Sequence, residues 1–262
     1  MSQLFIYCSV VLLSGWGLSF LLAREVELKR KISPSALVYS LLAVSMPTAM
    51  AFALSSQAER ESLLSQFNFH FRGAHLGLAV LAPLGIALAG HAGGILGSFE
   101  RSISWLPSST SIKASVGFLP ICLLWGVLEE IGWRGFLVPR MSAHFPALGA
   151  AALVGLVWGL WHTPQMFFSD LPGDGAWKNR PMTGATLWVL QCISLGTILG
   201  WLQLKTGSFI LPTLAHALNN FLGKISEPSF SGKANPMWTG TSGLAGIAAS
   251  ASIAGFLITQ GI

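Results

Sequence analysis

Three pairs of residues, each four positions apart, stand out from long apolar stretches of this chain: Glu130 with Arg134, Trp158 with His162, and His216 with Asn220. Four residues is slightly more than one helical turn, so each pair shares one face of a helix. Glu130 and Arg134 can then form an ion pair, which lowers the cost of burying both. Glu129, one position earlier, points about 100° away around the helix and is left over. An ion pair that fixes packing accounts for Glu130 and Arg134 but has no use for Glu129. A carboxylate and an imidazole can hold one water molecule and take a proton from it. A second imidazole and an amide can donate hydrogen bonds to an oxyanion, and Asn219 stands beside Asn220. Those four roles are what hydrolysis of a peptide bond requires. The chain has no HExxH motif, and no serine stands out with a base of its own.

The elements that must position these residues are membrane spans. Of the 262 residues, 52% are hydrophobic and 10% charged, whereas soluble domains carry about a quarter charged residues. Eight stretches approach the length and apolarity of a span: 4–23, 35–55, 74–97, 115–139, 147–168, 184–204, 207–223 and 241–260. The expected fold is all-α, a polytopic membrane helix bundle of about eight transmembrane helices. The first stretch has no basic region before it and is read as a retained helix rather than a cleaved signal. A tight turn at Lys205-Thr206-Gly207 separates the sixth span from the short seventh, and the eighth is rich in Gly, Ala and Ser, which favours close packing.

The net charge of +5 belongs to loops. Ten Lys and Arg residues (Arg24, Lys29, Arg30, Lys31, Arg101, Lys113, Lys178, Arg180, Lys224, Lys233) fall on one side of this topology and four (Arg60, Arg72, Arg140, Lys205) on the other. The positive-inside rule then puts both termini outside the cytoplasm. The cations suit anionic membrane lipid, and without an aromatic-interleaved basic patch they do not suggest a nucleic-acid partner. Trp16, Trp105, Trp177, Trp201 and Trp238 lie near span ends or in loops, as an interfacial belt would have them. Cys8, Cys122 and Cys192 all sit in apolar runs and are read as packing residues rather than a disulfide or zinc site.

Against this background the polar residues on the fourth, fifth and seventh spans are costly. A charge at mid-bilayer costs at least about 2.5–3.5 kcal/mol on insertion scales, and such residues are functional candidates by default. Buried Glu, Arg and His also serve proton relays, so a proton-coupled transporter stands as an alternative, although no inverted repeat is visible. Glu129, His162 and His216 also match the ligand types of a His2Glu zinc site.

The three motifs resemble those of the CPBP family of intramembrane glutamic endopeptidases, which includes the type II CAAX prenyl endopeptidases and bacterial relatives linked to bacteriocin processing and immunity. The family pattern is EExxxR, FxxxH and HxxxN on separate membrane helices. This chain has Glu129-Glu130-x-x-x-Arg134, Trp158-x-x-x-His162 and His216-x-x-x-Asn220, in that order. Trp133 stands where Phe is common before the Arg, and Trp158 replaces the Phe of the second motif. Both are carried forward as pocket candidates.

The resemblance implies a metal-independent endopeptidase with no cofactor, acting on a hydrophobic or lipid-anchored peptide in a bacterial plasma membrane. Glu129 would be the general base, His162 would hold the same water, His216 and Asn220 would stabilise the oxyanion, and Glu130 and Arg134 would be the supporting pair. Residues 115–223 would form the catalytic core, with three helices over 1–114 before it and a loop and last helix over 224–262 after it. A non-catalytic immunity or scaffold protein of the same fold is the other alternative. With the span boundaries above, Glu129 and His162 sit about 10 Å apart along the membrane normal at about 1.5 Å per residue. Stagger or tilt must close that gap.

Overall fold

The computed structural model describes residues 2–29, 34–97, 109–168, 177, 179–226 and 235–261. Arg30, Lys31, Arg101, Lys178, Lys233 and Trp105 lie outside them. The described residues form helices joined by turns: α1 (Ser2–Lys29), α2 (Pro34–Leu54), α3 (Gln57–Ser65), α4 (Gly73–Leu96), α5 (Ser109–Glu130), a π-helical segment Ile131–Leu137, α6 (Val138–Ser142), α7 (Ala147–Phe168), α8 (Pro181–Thr206), α9 (Ile210–Ser226) and α10 (Leu244–Gln260). Among the described residues, six segments are long and apolar enough to cross a membrane: α1, α2, α4, the continuous run Val116–Ser142, α7 and α8. The shorter α9 and α10, of 17 residues each, correspond to the seventh and eighth expected spans. The protein is a polytopic helical bundle, and its large apolar side chains are displayed outward as well as inward: Leu13 and Leu81 are exposed while Val11 and Ala82 are buried. That distribution suits a lipid solvent.

Helix α8 is the centre of the bundle, with most of its length enclosed by its neighbours. It packs most extensively on α7. Their backbones approach so closely that a Cβ on Gly196 would lie 2.8 Å from the Gly155 Cα and 3.3 Å from Arg134 Nη2. Two facing glycines thus make room for the Arg134 guanidinium between helices. The α8–α9 turn is as tight as the sequence suggests. Gly207 takes the left-handed conformation (φ 61°) and its N–H donates to the Gln203 carbonyl at 2.7 Å, which ends α8 as a glycine past the last turn commonly does.

Two elements depart from the expected spans. The fourth span is not one regular α-helix, because its Ile131–Leu137 stretch is π-helical and extends to Ser142 through α6. A widened turn displaces carbonyls from their usual partners, and neighbouring side chains donate to two of them. Thr48 Oγ1 donates to the Leu128 carbonyl at 2.5 Å, and Gln66 Nε2 donates to the Gly135 carbonyl at 3.2 Å. Gln66 Oε1 in turn accepts from Gln203 Nε2 at 2.6 Å, so one amide ties the segment carrying Arg134 to α8. Gln66→Leu should therefore lower stability by about 1–3 kcal/mol by stranding both partners. A fall in the detergent melting temperature would register it.

The second departure is α3, a short amphipathic helix outside the spans. Ser56 and Glu59 close a capping box over its first turn. Glu59 also meets Arg140 at 2.6 Å, pinning α3 to α6. The Ser56 amide and hydroxyl, and then Arg140, hold the Glu59 carboxyl below its usual range.

The expected tryptophan belt is partly something else. Trp16 Nε1 donates to the Leu160 carbonyl at 3.0 Å. Pro164 sits four residues beyond Leu160 and has no N–H to offer it. Trp201 Nε1 donates to the Gly261 carbonyl at 3.1 Å and anchors the end of α10 to α8. The three cysteines are unpaired, Cys122 and Cys192 being fully buried.

Candidate active site

Glu129 and Glu130 end α5, immediately before the π-helical segment that carries Arg134. Glu130 and Arg134 are completely buried and paired at 2.7 Å (Oε1 to Nη1). The pair predicted from four-residue spacing thus forms although its second member sits in a π turn. The same Glu130 oxygen lies 2.8 Å from His216 Nδ1, on α9. An ionised carboxylate can only accept, so Nδ1 carries the hydrogen and Nε2 is the ring nitrogen left for other work.

Glu129 is buried too, at 3% exposure, but faces a different group. Its Oε2 accepts a hydrogen bond from Trp158 Nε1 at 2.7 Å and lies 3.9 Å from His162 Nε2. The latter distance is too long for a direct hydrogen bond and short enough for one water to bridge. The 10 Å offset expected along the membrane normal is therefore closed. Part of the reason is local: the fourth span runs to Ser142 rather than 139, which puts Glu129 at its middle.

Aromatic rings wall the site. The His162 ring meets Trp158, Trp161 and Trp188 with centroids 5.7, 4.7 and 5.6 Å away, all near edge-to-face. Trp158 also meets His216 at 5.0 Å and carries the Arg134 guanidinium 4.5 Å over its ring. Trp133, the other pocket candidate, is fully buried and packs edge-on against Tyr7 and Trp161. It backs the wall behind His162 at one remove. Asn220 lies one turn after His216 on α9, half-buried, and makes no side-chain hydrogen bond to a described residue. Its neighbour Asn219 is buried, with its Oδ1 unpartnered among the described residues.

From the sequence, Trp158 is the partner of His162 at four-residue spacing and a pocket candidate in place of Phe, with no acceptor assigned to its N–H, and neither Trp161 nor Trp188 stands out. The signal for Trp158 is present: an indole N–H buried in a span needs an acceptor, and a carboxylate on the neighbouring span supplies one. Trp161 precedes His162 directly, but nothing local brings Trp188 of α8 to the same imidazole.

The arrangement defines a class: a membrane helical bundle with two adjacent carboxylates, one locked in a buried ion pair and one facing an imidazole. Comparison with known proteins points the same way. Residues 111–222 match the family model described as type II CAAX prenyl endopeptidase Rce1-like. Over 126 residues the chain is 30% identical to the CAAX prenyl protease 2 of Methanococcus maripaludis, a match covering 47% of this chain and 46% of that relative. The chain thus spans about half the length of the curated relative it matches. Over residues 111–222 the chain is thus similar to the type II CAAX prenyl endopeptidase family.

Proposed function

We propose that the protein is an intramembrane endopeptidase that hydrolyses a peptide bond in a membrane-associated or hydrophobic peptide. The observation that carries this reading is the Glu129 carboxylate, buried, free of any ion pair with Arg134, and 3.9 Å from His162 Nε2. Glu129 takes a proton from a water held between it and His162. The resulting hydroxide adds to the scissile carbonyl; Asn220 donates to the oxyanion that forms, and so does His216 through Nε2 as an imidazolium whose Nδ1–H is held by Glu130. Glu129 then passes its proton to the departing amine. Glu130 and Arg134 hold His216 and neutralise one another. The donor set needs neither metal nor cofactor.

Residues 115–223 would be the catalytic core, with the helices of 1–114 and 224–262 packed around it. The substrate would be a hydrophobic or lipid-anchored peptide reached from the bilayer. The loop charges favour both termini outside the cytoplasm of a bacterial plasma membrane. The test is to compare the membrane peptides of cells carrying the wild type with those carrying Glu129→Gln. Peptides shortened only in the wild type are expected, and identical sets would overturn the reading.

A further inference from the structure

We propose that Trp158 is a positioning residue for the reaction, whose indole N–H aims the Glu129 carboxylate at the space facing His162. The inference rests on the proposed role of Glu129 and adds a residue to it. Trp158 is 97% buried on α7, and its Nε1 donates to Glu129 Oε2 at 2.7 Å. The oxygen that accepts this bond is the same one that faces His162 Nε2.

A carboxylate oxygen offers two lone pairs. With one taken by the indole, the direction of the other is set, and it is left toward His162. Without the N–H, Glu129, next to last in α5 before the widened turn, has a carboxyl group that no described hydrogen bond orients. No other described side chain hydrogen-bonds to it; Arg134 and His216 meet Glu130 instead, through Nη1 and Nδ1. Steering of the base therefore falls to a single donor.

The same ring also meets three other members of the set. The Arg134 guanidinium lies over it at 4.5 Å, and the His216 and His162 rings meet it edge-on at 5.0 and 5.7 Å. A phenylalanine, the residue of the family pattern at this position, would keep an aromatic ring in this place and lack the donor. The N–H is thus a separable addition in this chain, and the family's own residue is the variant that removes it.

The test uses the full-length protein in detergent or vesicles, with a hydrophobic peptide that the wild type cleaves. Trp158→Phe should melt close to the wild type and keep KM nearly unchanged, while kcat falls about ten- to hundredfold, the span expected for one hydrogen bond to a charged group. A packing role alone would move the melting temperature or KM instead. The second measurement needs no turnover. In protein labelled with 15N-tryptophan, the indole cross-peak that vanishes in Trp158→Phe should shift in Glu129→Gln, because the acceptor loses its charge. Wild-type kcat in Trp158→Phe, or an indole resonance indifferent to Glu129→Gln, overturns the proposal and leaves the protease reading standing. Equal turnover in wild type and Glu129→Gln would instead remove the base and this inference with it.

Discussion

Glu129→Gln should leave the bundle folded and cut turnover by about 10²- to 10⁴-fold, the usual contribution of a general base. The replacement is nearly isosteric, and its amide oxygen still offers Trp158 an acceptor, so the wall around His162 has no reason to collapse. The stability side of the prediction is as informative as the activity. Glu129 is a buried carboxylate that neither Arg134 nor any other described cation pairs with directly, and the His162 imidazole stands 3.9 Å away. A buried charge without close compensation costs stability. Neutralising it should keep the melting temperature level or raise it. A protein made more stable and inactive by the same change holds that carboxylate for chemistry rather than for folding. Single-turnover cleavage of a hydrophobic peptide, followed beside a thermal melt in detergent, measures both. Retained turnover in this variant would place the base on another residue.

The sequence made some of this site legible because lipid makes ionisable residues expensive. Glu129, Glu130, Arg134, His162 and His216 stand out from spans that otherwise avoid charge, and four-residue spacing is enough to pair Glu130 with Arg134. What spacing within one helix does not carry is the relation between helices. The approach of Glu129 to His162 depends on where α5 sits against α7, and straight-helix arithmetic from approximate ends misplaced it by about 10 Å. The π-helical segment has no composition of its own, because the donors that accommodate it, Thr48 and Gln66, lie 80 and 69 residues from the carbonyls they reach. Other features were readable and went unused. Ser56-Gln57-Ala58-Glu59 has the capping-box spacing that starts α3. Pro164 leaves the Leu160 carbonyl without its usual partner, and Trp16, assigned to the interface by composition, donates there instead.

Arg134→Met should be the most damaging single change to the fold, costing about 3–5 kcal/mol. Arg134 and Glu130 are both completely enclosed. Removing the guanidinium leaves a buried carboxylate with only the His216 N–H to face it, and also strips the stacked cation from the Trp158 ring. Lysine would not substitute well, since a compact ammonium cannot both reach Glu130 and lie flat over an indole. If the cost comes from the stranded charge rather than from lost volume, removing the charge should return much of it. Glu130→Gln combined with Arg134→Met is then expected to melt well above Arg134→Met alone, a coupling between contacting residues that a double-mutant cycle reads directly. The double variant separates the two jobs of this pair. Its regained stability would show that the fold does not need this ion pair. Its turnover should stay low, because an amide at position 130 no longer presents a charge to His216 Nδ1 while Nε2 works on the substrate. Additive melting temperatures across the cycle would mean that Glu130 and Arg134 act separately, and would assign the buried pair to packing.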